Sequence, residues 1–151
     1  MPHFTTTRPS RHSATDMFDL VADVESYPQF VPLCESLVVR SRRQDGDREV
    51  LIATMTIAYK LIRESFTTKV VLDRKALTIR TEYLEGPFSH LENVWRFEPR
   101  GRGNALVHFN IDYEFRSRTL GFLMGTMFDK AFRKFTEAFE KRADAVHGAN
   151  A

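Results

Sequence analysis

Residues 117–146 carry an apolar stripe that the rest of the chain has to accommodate. Leu120, Leu123, Met124, Met127, Phe128, Ala131, Phe132, Phe135, Ala138, Phe139, Ala143 and Val146 recur at steps of three and four. That spacing places them on one face of an α-helix. Arg118, Asp129, Lys130, Arg133, Lys134, Glu137, Lys141 and Asp144 fall on the opposite face. A helix of roughly 28 residues is about 42 Å long. It is too charged to cross a bilayer, so its stripe needs a broad apolar surface to lie against. The Phe and Met side chains serve either as ordinary core or as the adaptable wall of a cavity for an apolar ligand. Both readings can hold along different parts of the helix.

The preceding chain supplies that surface. Residues 3–9 alternate weakly and read as an edge strand, with Pro9 where no ladder donor is needed. Ser13 followed by Asp16 has capping-box order. Met17, Leu20, Val21 and Val24 continue at helical spacing, predicting a helix of about three turns. The two prolines of Tyr27-Pro28-Gln29-Phe30-Val31-Pro32 permit at most a second, short helix. Six strands follow, near 37–42, 49–60, 62–72, 77–83, 91–97 and 107–115. Turn signals at 44–47, 73–75, 86–88 and 99–104 separate most of them. Tight connections favour an antiparallel meander. Its apolar face would lie on the terminal helix, giving an α+β architecture.

Composition narrows the function classes. A chain of 151 residues is long enough for one domain with a real core. A formal net charge of +2 is too small to point to nucleic acid by bulk charge, and DNA is not an expected partner. Cys34 is the single cysteine, so no internal disulfide can form and a reducing compartment fits. No apolar run reaches spanning length, and residues 1–13 lack a secretory signal. The expectation is a cytoplasmic protein, with peripheral contact at the inner membrane left open.

Chemistry-bearing motifs are sparse. His3, His12, His90, His108 and His147 have no ligand spacing among themselves or to Cys34, so no metal is expected. Gly101-Arg102-Gly103 sits in a turn with no helix after it, unlike a phosphate cradle. No nucleophile elbow surrounds any serine. No catalytic residue and no cofactor is assigned. More informative are polar residues within apolar strand sets: Glu64, Asn93, Thr68, Thr81, Tyr59 and Tyr83. Each either finds a backbone or water partner or supplies a polar handle in an apolar pocket. Glu64 accepts only when ionised and fits a rim better than a dry centre. The turns near 44, 74 and 101 emerge at one end of a meander and gather Arg42, Arg43, Arg74, Lys75, Arg100 and Arg102. They are solvated tips or a docking surface for anionic lipid or RNA phosphate. The Gly86-Pro87-Phe88 turn falls at the opposite end, beside Gly121 and Gly125, where a pocket mouth is expected.

Several motifs carry a resemblance. Tyr27-Pro28-x-Phe30-Val31-Pro32-x-Cys34, Gly86-Pro87-Phe88, Leu91-x-Asn93-x-Trp95-x-Phe97 and Asp112-Tyr113-x-Phe115 are similar to those of the coenzyme Q-binding, START-like family. The likeness implies a helix-grip fold, a seven-stranded curved antiparallel sheet around the long C-terminal helix with an apolar cavity between. Two short helices follow the first strand. Residues 1–148 then form a single START-like domain and 149–151 a disordered tail. Implied function is non-enzymatic binding of ubiquinone, or a similar isoprenoid lipid, in support of respiration, with the quinone a bound ligand and not a cofactor. The same family includes ribosome-association toxins that bind the large ribosomal subunit and block subunit joining, which is the alternative function. Older labels for such chains are polyketide cyclase. The expected cavity lining is Phe30, Met55, Ile57, Tyr59, Phe66, Thr68, Ile79, Tyr83, Phe88, Asn93, Trp95, Phe109, Ile111, Tyr113, Leu120, Met124, Met127, Phe128 and Phe132.

Overall fold

The computed structural model describes residues 3–148; the expected tail, 149–151, lies outside the described residues. In chain order the elements are β1 (His3–Ser10), α1 (Ala14–Ala22), a 3-10 helix (Val24–Gln29), β2 (Cys34–Asp45), β3 (Arg48–Tyr59), β4 (Ile62–Asp73), β5 (Thr78–Glu85), β6 (Phe88–Arg100), β7 (Asn104–Phe115) and α2 (Arg118–His147). The strands form one sheet in the order β1-β7-β6-β5-β4-β3-β2, with every neighbouring pair antiparallel. This is the α+β, START-like architecture that the sequence implies.

Local chemistry accounts for the boundaries. Ser13 caps α1, its Oγ accepting from the Asp16 amide at 3.1 Å. The helix stops at Ala22, short of the expected three turns, and a 3-10 helix containing Pro28 takes over. Pro28 has no amide hydrogen to carry the α-helical ladder onward. Pro9 sits in β1 at the sheet's edge, and Pro99 lies near the end of β6 opposite Ala105. Ser117 caps α2, accepting from the Leu120 amide at 3.2 Å.

Strand alternation decides which face is covered. Along β7, Ala105, Val107, Phe109, Ile111 and Tyr113 are buried while the residues between them are not. β6 does the same with Leu91, Trp95 and Phe97. α2 lies on this inner face, burying Met124, Phe128, Ala131, Phe132, Thr136, Phe139 and Ala143. Rings interlock across the contact: Phe132 with Phe109 and Tyr113, and Phe139 with Trp95 at 5.0 Å between centroids. Each such ring contributes roughly 1.5–3 kcal/mol through burial. The start of the helix is seated differently. Leu123 of the stripe is 51 % exposed, and Phe122 beside it, off the stripe, is 87 % exposed.

Candidate functional site

Between α2 and the inner face lies a cavity of about 120 Å³. The sheet contributes Ala53, Met55, Ile57, Phe66, Thr68, Val70, Ile79, Thr81, Leu91, Asn93, Trp95, Phe109 and Ile111. α2 contributes Phe128, Ala131, Phe132, Phe135 and Phe139. Val24, Tyr27, Pro32, Leu33 and Leu37 complete the wall from the stretch between α1 and β2. Leu33 is brought there by a left-handed backbone, φ 69°, with its carbonyl accepting from the Ala58 amide at 3.0 Å. Left-handed leucine is uncommon and persists where surrounding contacts enforce it.

Three polar side chains interrupt this apolar wall, and the register makes them neighbours. Thr81 on β5 is directly opposite Asn93 on β6, and Thr68 on β4 is diagonal to Thr81, which pairs with Val70. Asn93 Nδ2 donates to the Asn110 carbonyl at 2.9 Å. One of its two amide hydrogens is thereby used, and the other has no partner among the described residues. The Thr68 and Thr81 hydroxyls have no hydrogen-bond partner among the described residues. A ligand oxygen held against this spot would meet up to three donors inside an apolar enclosure.

Of the residues expected to line the cavity, Met55, Ile57, Phe66, Thr68, Ile79, Asn93, Trp95, Phe109, Ile111, Phe128 and Phe132 border it. Phe30, Tyr59, Tyr83, Phe88, Tyr113, Leu120, Met124 and Met127 do not. Phe88 is fully buried in a cluster with Phe66, Tyr83, Tyr113, Phe115 and Phe128. The Tyr83 hydroxyl is spent accepting from the Phe88 amide. Phe30 packs edge-on against Tyr27 and Phe139, while Lys60 lies over the Tyr59 ring. Alternation fixes the face a residue shares and says nothing of how far along the sheet the empty space extends. The lining from 24–37 went unread because nothing local announces that an irregular segment folds over a distant sheet.

At the Gly86 end, where a mouth is expected, the structure has a separate recess. It is lined by Glu64, Ser65, Gly86, Pro87, Arg116, Ser117 and Leu120, and it shares no lining residue with the cavity. Glu64 therefore lines this recess and not the apolar cavity. Gly86, at φ 142°, presses on Phe66 so closely that an added Cβ would come within 2.5 Å of the Phe66 Cβ.

Residues 10–140 match the family described as polyketide cyclase / dehydrase and lipid transport. The chain belongs to this family. It is 34 % identical over 149 residues to the ribosome association toxin RatA of Rickettsia prowazekii, covering 97 % of this chain and 99 % of that protein. It is 30 % identical over 140 residues to the coenzyme Q-binding protein COQ10 homolog B, mitochondrial, of Xenopus laevis, covering 90 % of this chain and 55 % of that one. An 18 kDa Caulobacter crescentus protein solved in solution is 34 % identical, with a TM-score of 0.80 over 99 % of this chain and all of that one. A Streptomyces aromatase/cyclase shares the fold alone, at 16 % identity and a TM-score of 0.78 over 95 % of this chain and 93 % of that one. The relatives in sequence carry names from binding and toxin classes, a neighbour in fold alone is named as an enzyme, and the site's own chemistry has to discriminate.

That chemistry is muted in this member of the family. Burial pushes the Cys34 thiol up to about 11, leaving it protonated and unreactive at neutral pH. Burial likewise holds the Tyr27 phenol far above its ordinary range, its hydroxyl donating to the Val21 carbonyl at 2.5 Å. The hairpin tips at 46, 74–77 and 101–103 share one end of the sheet, as expected, but much of their positive charge is paired. Arg42 contacts Glu25 and Glu49, Arg74 contacts Asp19, and Arg100 contacts Glu98. Among the described residues Arg43, Lys75 and Arg102 have no such partner. The histidines are less scattered than their sequence positions. His12 stands beside Glu140 and Asp144, and His108 bridges Thr7 and Glu98. Among the described residues no helix is long and apolar enough to cross a membrane.

Proposed function

We propose that the protein binds ubiquinone or a similar isoprenoid lipid without chemical turnover, holding it for use in respiratory electron transport. The observation that carries this reading is an apolar cavity whose few polar groups are gathered in one spot. A quinone ring offers only acceptor oxygens, and Thr68, Thr81 and Asn93 supply donors. Burying a C5 isoprene unit at roughly 0.8 kcal/mol per carbon contributes about 4 kcal/mol before ordering costs. The enclosed 120 Å³ is smaller than the ~300–1,000 Å³ typical of pockets that engulf a whole ligand. Such a molecule is therefore held by one end, with the rest of its tail outside or lodged by displacement of α2. Among the described residues the cavity wall holds no carboxylate, histidine, cysteine or basic side chain to activate its hydroxyls, which supports a binding role over a cyclase one. Delivery would involve peripheral contact with an anionic membrane, with Arg43, Lys75 and Arg102 the hairpin-tip cations still free to meet it. The test is mass spectrometry of lipids extracted from the purified protein: quinone enriched over total membrane lipid supports the reading, and no enrichment overturns it.

A second reading is favoured by a different observation. RatA of Rickettsia prowazekii aligns over nearly the full length of both chains, whereas the coenzyme Q-binding relative is matched over about half its length. On that reading the protein binds the large ribosomal subunit and blocks subunit joining. Sucrose-gradient sedimentation decides it: co-migration with large subunits and loss of joined ribosomes would support it, and migration with free protein would remove it.

A further inference from the structure

Away from the cavity, a compact group of titratable side chains stands where β1 hands over to α1 and meets the end of α2. His12 is 2 % exposed, and its Nε2 lies 2.7 Å from Asp144 Oδ1 and 3.9 Å from Glu140 Oε2. One donor atom from each of the three lies within 4.8 Å of the others. Glu140, Asp144 and His147 are spaced i, i+4, i+7, which puts all three on one stripe of α2. The His147 ring centroid is 6.1 Å from that of His12.

We propose that His12 Nε2, Glu140 and Asp144 Oδ1 form a binding site for a transition-metal dication of the zinc class, which the exposed His147 side chain completes by turning toward it. Imidazole with carboxylate suits zinc and its neighbours, while magnesium and calcium prefer all-oxygen sets. Ligand bonds of about 2.0–2.2 Å put tetrahedral neighbours about 3.3–3.6 Å apart. To reach that spacing the 2.7 Å contact opens by about 0.6–0.9 Å and the 3.9 Å contact closes by about 0.3–0.6 Å, shifts within reach of side-chain rotation. The supporting contacts are already made. Arg11 donates from Nη2 to Asp144 Oδ2 at 3.2 Å, leaving Oδ1 to face His12, and its backbone amide donates to Glu140 Oε2 at 3.3 Å. The His12 amide donates to Ser10 Oγ at 3.1 Å. Such outer contacts orient ligands and tune metal affinity. The two carboxylates outnumber the one guanidinium beside them, so a dication is attracted and takes the place of the His12–Asp144 hydrogen bond. Bound metal would fasten the end of α2 to the β1–α1 junction.

The test uses the full chain, free of any affinity tag and stripped with chelator, titrated with zinc chloride by calorimetry at neutral pH. Thermal unfolding is followed in parallel. Expected are one saturable equivalent, a raised Tm, and no response to magnesium. H12Q weakens binding at least about a hundredfold and E140Q, D144N and H147A at least about tenfold. Glu140 and Asp144 are partly exposed, and circular dichroism verifies that E140Q and D144N fold. Absence of saturable zinc binding by the parent chain, or parental affinity in folded E140Q and D144N, overturns the proposal.

Discussion

Replacing Ala131 with leucine tests whether the space beneath α2 is empty in the absence of cargo. Ala131 is 6 % exposed and borders the cavity from the helix side. At about 24 cal/mol per Å³, an unfilled 120 Å³ forfeits about 3 kcal/mol of stability. Leucine adds three carbons, worth about 2.4 kcal/mol when buried. Ordering its side chain costs about 0.5–1 kcal/mol, and leucine is a good helix former. The net gain is about 1.5 kcal/mol, a rise of roughly 3–6 °C in Tm for a chain of this size. The same leucine occupies ligand space, so the quinone recovered by extraction should fall in the variant. A more stable protein that has lost its cargo is the expected pairing, read by calorimetry and mass spectrometry on one preparation. Overpacking of an already filled core would instead cost about 1–3 kcal/mol. A lowered Tm, or full cargo retention in a stabilised variant, would falsify the reasoning.

Thr81→Val keeps the side chain's shape and deletes a donor. It should weaken quinone binding between about two- and tenfold, measured by quenching of Trp95, the single tryptophan, which lies on the cavity wall. Gly86→Ala puts a Cβ against the Phe66 backbone and side chain at a φ that L residues rarely adopt. Chemical denaturation should show a loss of about 2 kcal/mol or more. The carboxyls of Asp144 and Glu98 are held below their ordinary range, chiefly by hydrogen bonds from His12 and His108 respectively. A depressed folded-state value stabilises the fold fully above the ordinary carboxylate pKa, about 4, and that contribution is lost as pH falls through the folded value. Asp144→Asn should therefore flatten the acid limb of the stability–pH profile, and an unchanged limb would refute the assignment.

Legibility followed periodicity. The stripe of α2 and the alternation of β7 could be read directly because a single face of each is covered. The order of strands followed from short turns. Within the site, Trp95, Asn93 and Phe132 were recognisable as inward-facing, and they do border the cavity. Phe88 and Met124 share those faces yet lie away from the void, because period defines direction and not depth. Tyr27, Leu33 and Leu37 were missed since their placement depends on a left-handed residue and a carbonyl bonded to Ala58. The basic hairpins were read as one cluster, correctly for the backbone, but Asp19 and Glu25 reach them from the α1 segment and absorb much of their charge. His12 shows the same limit: its partners, Glu140 and Asp144, lie at the other end of the chain.

The uneven seating of α2 has a mechanical consequence. From Met124 onward the helix is gripped by rings, and near its far end Arg11 and His12 hold Asp144; before Met124, Phe122 and Leu123 project into water. A rod clamped along most of its length and held more lightly at its start, where Leu120 alone of the first turns packs inward, behaves much as a cantilever. Strain from an oversized guest would concentrate as bending between that end and the clamp, and amide exchange should be fastest there.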